Sequence, residues 1–571
     1  MKLDRRRALA LLGLGAAAPA ATAAAAAYKG EVAFNHGVAS GDPTQDSLIL
    51  WTRITPLDKK GGDIAYKWRL NPIDRRAGGA KSGEGVTGPD RDYTVKVDVG
   101  GLDAGRAYTF EFESAGATSP MGRTATLPAG SVDDVVLAVA SCALYPNGYF
   151  NAYQAIADLP RVDAVLHLGD YIYEYGGPGS YGMDSKVADK RPHDPPHEII
   201  TLADYRTRHA QYKTDPQLQA AHARAPWIVV WDDHETANDS YKDGAEDHQP
   251  ETEGDWNTRK AVAIKAYYEW MPIREPAKGK SMEAAWRSFH FGDLASLIMI
   301  ETRLTARDHQ LNYNADLKGT TPEDIAAFRA KLDDPSRKMM GEAQHAWVAD
   351  EVKRSVAAGH AWQVLGNQVV MARANIASFS DAMGQDGFEK AAADLPENVR
   401  ARLTKLNNLA PLNLPYGLDM WDGYPPDRQR LYQNLSAAGA SPIVVSGDSH
   451  AFWANELYDA PEGGRRVAVE FGTTGITSPG GGDYLKTIPL GEVYMKANRE
   501  IVYNNQAVKG FVLLTLNRDQ AKGELMKVST ITDTAYETTV DKAFTVTPVA
   551  GGGVSALAEA SEQPAGFNCG C

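Results

Sequence analysis

Three short polar runs carry most of the chemistry this chain offers: GDYIY (Gly169–Tyr173), WDDHE (Trp231–Glu235) and GDSH (Gly447–His450). Asp170 ends an apolar segment and has two oxygens with which to bridge a pair of cations. Tyr173 follows three residues later and returns to the same spot if the chain turns helically. A phenolate ligand favours a hard, highly charged ion such as Fe(III), which lowers the effective phenol pKa. WDDHE supplies Asp232, Asp233, His234 and Glu235 in succession, a costly set to bury unless paired or bound to metal. A carboxylate ligand beside a histidine gives metal binding and proton transfer from one turn. Asn238 and Asp239 follow closely enough to ligate or to hold substrate. In GDSH, Asp448 and His450 are spaced to point at one place from an extended segment or turn. Cys142, after VVLAVAS, is an ordinary buried cysteine by itself but a credible thiolate ligand in this company.

The elements that must position these residues are strands. Val162–Leu168, Pro226–Val230 and Pro442–Ser446 are continuous apolar runs, as expected of strands buried on both faces of an α/β sheet. Polar ligands at the carboxyl ends of such strands are how open α/β sheets build their crevice sites. Around that region, segments 33 to about 127 alternate in short β-type stretches broken by Gly, Pro and Asp, which suggests a small sandwich of about seven strands. From Asp134 the pattern turns to strand–helix alternation, and β-type segments return from Arg465 to about Pro548. Two polar, Gly/Pro-rich insertions, Gly176–Glu198 and Lys242–Gly254, have the character of lids or specificity loops over a strand-end site.

The bulk numbers exclude several classes. At 571 residues the chain needs more than one core. A net charge of −14 argues against a basic groove for nucleic acid. Residues 1–27 combine Arg5-Arg6-Arg7, an apolar stretch and small residues, the pattern of a cleaved export signal of twin-arginine type. No later window is apolar enough for a membrane span. Three cysteines make no disulfide framework, and two of them, Cys569 and Cys571, end a Gly/Ala/Ser-rich tail. The expected divisions are therefore 1–27, a β-sandwich over 28–128, a catalytic domain over 134–549 and a low-complexity tail over 550–571.

The combined set Ser141-Cys142, GDYIYEYG, WDDHE, WDGYP (Trp421–Pro425), GDSHAFW and EFGTTGITSPG, preceded by FNHGVASGDP and LWTRI, resembles the PhoD-type alkaline phosphatases over roughly residues 30 to 545. The resemblance implies a four-layer αββα metallophosphatase sandwich behind a small Ig/fibronectin-like domain. It implies Fe(III) held by Cys142, Asp170, Tyr173 and His450, and Ca²⁺ held by Asp170, Asp233 and Asp448, carboxylate oxygens favouring calcium over zinc. A fourth-motif ligand would come from Gln368 or Asn367 in WQVLGNQVV. Asp232, His234 and Asn238 are the candidates for catalytic roles, with His234 as proton donor, whereas Arg303 is a weak candidate for phosphate contact. The expected protein is thus a periplasmic or secreted phosphomonoesterase using a metal-bound hydroxide, with small phosphate esters as substrates and the twin-arginine machinery as its export partner. A phosphodiesterase or phospholipase D-like enzyme with the same metals is the alternative, and a non-enzymatic metal- or surface-binding protein a remote one.

Overall fold

The computed structural model describes residues 28–58, 61–73, 78–177, 179–393 and 395–560. The expected signal segment and the terminal cysteines lie outside these residues. Two large mixed sheets form the centre. In the first, Asp134–Ala140, Ala164–His167 and Trp227–Val229 run parallel. Lys509–Asn517 pairs antiparallel with the first of them and continues as a meander through Ala521–Val528, Thr538–Val546 and Ala558–Glu559. In the second, Ala295–Met299, Trp362–Gly366, Pro442–Ser446 and Arg466–Gly472 are parallel neighbours. Arg287–Phe291 and Phe452–Tyr458 flank them antiparallel, and Ile501–Asn505 closes the far edge.

Alternation along the strands explains the layering. Leu297, Val364, Ile443 and Val445 of the second sheet join Leu137, Val139, Val165 and Val229 of the first in one core. Their neighbours Ile298, Leu365 and Val444 turn outward, to Val348 and Val352 of the helix Glu342–Ala357 and to Leu431 and Leu435 of the helix Pro425–Ala438. Ile156 and Leu218, from the helices Asn151–Ala157 and Pro216–Arg224, cover the first sheet. The result is the four-layer αββα sandwich.

The N-terminal β-region is also present. Ile64–Pro72, Lys81–Thr87, Ala107–Ser114, Ala117–Thr118 and Gly122–Ala125 form one five-stranded layer. It closes over Leu48 and Leu50 with Leu70, Phe110 and Phe112. The opposite layer, Val38–Gly41, Ser47–Arg53 and Thr94–Gly100, is continuous with the first central sheet, because Gly41 pairs with Trp227. Ala558–Glu559 is an edge strand of the same sheet.

All the polar motifs leave the carboxyl ends of parallel strands at one edge of the two sheets. Cys142 follows Ala140, Asp170 follows His167, and Asp232–Glu235 follow Val229. In the second sheet, Arg303 follows Met299, Gln368 follows Gly366, and Asp448 and His450 follow Ser446.

Candidate metal centre

The turns beyond these strands are tight. Gly169 has φ +108°, and a Cβ there would collide with the backbone nitrogen of Asp232, so glycine lets the first two motif turns touch. A Cβ on Gly447 would likewise meet the Ser141 hydroxyl. Glu235 fastens the turns. Its buried carboxylate accepts the N–H groups of Asp170 (3.0 Å), Tyr171 (2.6 Å) and Asp232 (2.8 Å). Burial pushes the Glu235 carboxyl up to about 8, against the pull of the Tyr171 and Asp232 N–H groups.

Asp170 is the hub. One oxygen, Oδ2, accepts from the Tyr173 hydroxyl at 3.1 Å, while Oδ1 is buried without any hydrogen-bond partner. Cys142, Asp170 and His450 bring ligand atoms within 4.8 Å of one another, as do Asp170, Asp233 and His234, and also Asp170, Asp232, Asp233 and Asp448. Tyr173 belongs with the first group, its hydroxyl 3.2 Å from His450 Nε2 and 2.7 Å from the Ser478 hydroxyl that donates to it. Asp232 Oδ2 is a second buried oxygen with no partner.

The electrostatics fit cations. Burial, and in the case of Asp448 also the neighbouring Asp232, hold the carboxyls of Asp170 and Asp448 well above the usual range. Burial with Asp170 alongside does the same to the Cys142 thiol. These are groups whose charged forms need a positive partner that the protein itself supplies only in part. Burial takes the His450 imidazole down to about 3, with Lys509 adding to the effect, so this ring is a neutral nitrogen donor. Two orphaned carboxylate oxygens, a thiol, a phenol and a neutral imidazole converging on Asp170 form a donor set suited to a pair of metal ions.

His234 is held differently. Its Nδ1 lies 2.7 Å from Glu174 Oε2, and its ring lies 4.2 Å between centroids from that of Tyr173, tilted by 32°. Burial disfavours the charged ring but is outweighed by Glu174, Asp233 and Asp170, which raise its pKa well above the ordinary value. Glu174 also accepts the backbone N–H of the half-buried Asn238 at 2.6 Å. Asp233 accepts from the backbone N–H groups of His234 (2.9 Å) and Asp239 (2.7 Å), which aims its carboxylate.

Of the residues expected from sequence, Gln368 stands against the GDSH turn, its backbone carbonyl accepting the Gly447 N–H at 2.7 Å. Its side-chain Oε1 accepts from the Thr302 hydroxyl at 2.6 Å and its Nε2 donates to the Ile300 carbonyl at 2.8 Å, which joins two strand ends. Asn367 is engaged too, accepting from the Trp421 indole at 3.0 Å. The surprise is Arg303. Completely buried, it pairs with Asp232, lies 3.7 Å from Asp233 and 3.5 Å from Asp448, and donates to Asp419 at 2.8 Å. Arg307 reaches the same Asp419. Asp419 and Glu174 are thus site residues missed in the sequence. The signal for Asp419 was indirect: two arginines four apart after an apolar strand need a buried acid somewhere.

This fold, with carboxylates and histidines gathered at the strand ends of two facing sheets, defines a phosphoric ester hydrolase of the metallophosphatase kind, and the comparisons with known proteins agree. Residues 137–525 match the PhoD-like phosphatase family and residues 19–128 its N-terminal domain, and the chain belongs to that family. Alkaline phosphatase D of Bacillus subtilis (strain 168) is 34% identical over 512 residues, covering 88% of this chain and 78% of that protein. A solved structure described as "Structure of PhoD" superposes with a TM-score of 0.75 at 30% identity, covering 94% of both chains.

Proposed function

We propose that this phosphatase is an exported, metal-dependent phosphomonoesterase, with phosphodiesters as a second substrate class. The observation that carries the metal dependence is the buried Asp170, with one oxygen engaged and the other free at the meeting point of all three ligand groups. Cys142, Asp170, Tyr173 and His450 would hold the harder ion, Fe(III), and Asp170, Asp233 and Asp448 the calcium. When bound, such a pair supplies Lewis acidity toward a phosphoryl oxygen and acidifies water.

The chain's own groups do the rest. His234, with Nδ1 tied to Glu174, turns Nε2 to the site and gives a proton to the departing alkoxide. Asp232 is bound to Arg303 and acts by holding that guanidinium among the carboxylates. Arg303 is spent in these ion pairs, so it orders the site and is not a free phosphate clamp. Asn238 stands beside His234 as a substrate contact. Export rests on the Arg5-Arg6-Arg7 segment and places the mature chain in the periplasm or outside the cell. Among the described residues no helix is long and apolar enough to cross a membrane.

Elemental analysis of the exported protein, run beside rates on p-nitrophenyl phosphate and its bis ester, tests the proposal. Iron and calcium with a faster monoester rate are expected. An active protein free of both metals would overturn the cofactor assignment, and a dominant bis ester rate would make it a phosphodiesterase.

A further inference from the structure

The insertion Gly176–Glu198 meets the ligand cluster through one side chain that the proposed chemistry leaves unused. The Tyr181 hydroxyl lies 2.9 Å from His450 Nδ1, and its ring stacks on the imidazole with centroids 6.1 Å apart and planes 28° from parallel. The same hydroxyl bonds the Pro479 carbonyl, and that carbonyl is itself 2.9 Å from Nδ1. A carbonyl oxygen only accepts. Tyr181 therefore gives its single proton to Pro479, and His450 carries its own proton on Nδ1, shared between the two oxygens. The lone pair is left on Nε2, the nitrogen 3.2 Å from the Tyr173 hydroxyl and on the side of Cys142 and Asp170.

The arrangement needs holding. His450 has φ +57°, a conformation that a non-glycine residue adopts at a cost. Gly480 presses against it so closely that a Cβ there would stand 2.9 Å from the His450 carbonyl oxygen. Tyr181 holds the ring itself, through its hydroxyl and its stacked face.

We propose that Tyr181 is a positioning residue for His450, fixing the ring orientation and the Nδ1–H tautomer that present Nε2 to the cluster, and so tying the insertion to metal retention. The inference rests on the metal reading above. Partners of this kind orient a ligating histidine and raise its basicity, and losing one typically costs about 10- to 100-fold in metal affinity or activity. Because the Pro479 carbonyl remains, Tyr181→Phe belongs at the lower end of that range. Tyr181→Ala, which also loses the stacked ring, belongs higher.

The test compares wild type with Tyr181→Phe, Tyr181→Ala and, as a control, Tyr484→Phe, a tyrosine 52% exposed. The measurements are the rate at which a chelator strips iron, the position of the visible charge-transfer band that a phenolate or thiolate bound to Fe(III) would give, calcium content, and proteolysis within the insertion. Tyr181→Phe should release iron about 10-fold faster, with its band shifted, its insertion cut sooner and its calcium unchanged. Tyr484→Phe should match wild type. A Tyr181→Phe protein that keeps iron as long as wild type overturns this inference alone. A wild-type chain that takes up no transition metal overturns the metal reading and this inference with it.

Discussion

Cys142, Asp170, Asp448 and His450 all sit in the left-handed region, with φ of 62°, 55°, 62° and 57°. Such positions cost on the order of 1–3 kcal/mol each for residues other than glycine and cluster where a side chain must be aimed. Here the aim is a shared point: within a few residues of each strand end the side chains of Cys142, Asp448 and His450 come together with Asp170. His234 is placed without that strain, its Nδ1 held 2.7 Å from Glu174. His234→Asn should lower kcat by about 10²–10⁴-fold while metal content stays near wild type. The loss should shrink for p-nitrophenyl phosphate, whose leaving group needs little protonation, and grow for alkyl phosphates. A variant that loses its metals, or is equally impaired on both ester types, would show that His234 is a ligand or a positioning group. Asp170→Ala, in contrast, should lose metals and activity together on every substrate, as elemental analysis of the purified variant would show.

At the scale of elements, what was legible was whatever lay within one strand and its following turn. VDAVLHLGD, PWIVVWDD and PIVVSGD each announce a buried strand and a polar end, and Asp170, Asp232, Asp233 and Asp448 do gather. What was not legible depended on partners far along the chain. The bonds that tie the Gln368 amide to Thr302 and Ile300, just beyond the end of the neighbouring strand, are of this kind. Asp419 sits in a loop with no periodic signal, 116 residues from the arginine it binds. Glu235 looked like one more acid in a row and is instead the bolt between two turns. Glu235→Ala would leave three buried N–H groups without acceptors, so a destabilisation of about 2–4 kcal/mol is expected, together with faster metal loss. Thermal unfolding and chelator competition measure both, and an unchanged melting temperature would mean that the strand-end turns hold without it.

For the whole molecule, composition indicated several cores and the sequence pattern an N-terminal β-region, but not that one of its layers would extend the catalytic sheet through Gly41 and Trp227. A one-residue pairing leaves no trace in local periodicity. The junction it creates contains an unusual buried lysine. Lys213 ends the helix Leu202–Lys213, with its Nζ 3.1 Å from His222 Nε2 and over the rings of Trp51 (4.5 Å) and Tyr171 (5.2 Å). Among the described residues no carboxylate is within ion-pair distance of it. Burial therefore holds the Lys213 pKa well below that of a free lysine, and burial, with Lys213 adding to the effect, takes His36, His167 and His209 down to about 3. The unfolded chain binds protons here that the folded chain refuses, so stability rises with pH wherever the two states differ. The histidines contribute that rise below their ordinary pKa of about 6.5, and Lys213 contributes it from its depressed value up to about 10.4. Lys213→Met should remove the alkaline part of the slope and keep the acidic part. It should also raise stability at neutral pH, because the buried amine no longer has to be taken out of water. Melting temperatures of both proteins from pH 5 to 10 decide it. Curves that stay parallel between pH 7 and 10 would mean that Lys213 keeps its proton inside the fold, balanced by groups other than those in contact with it.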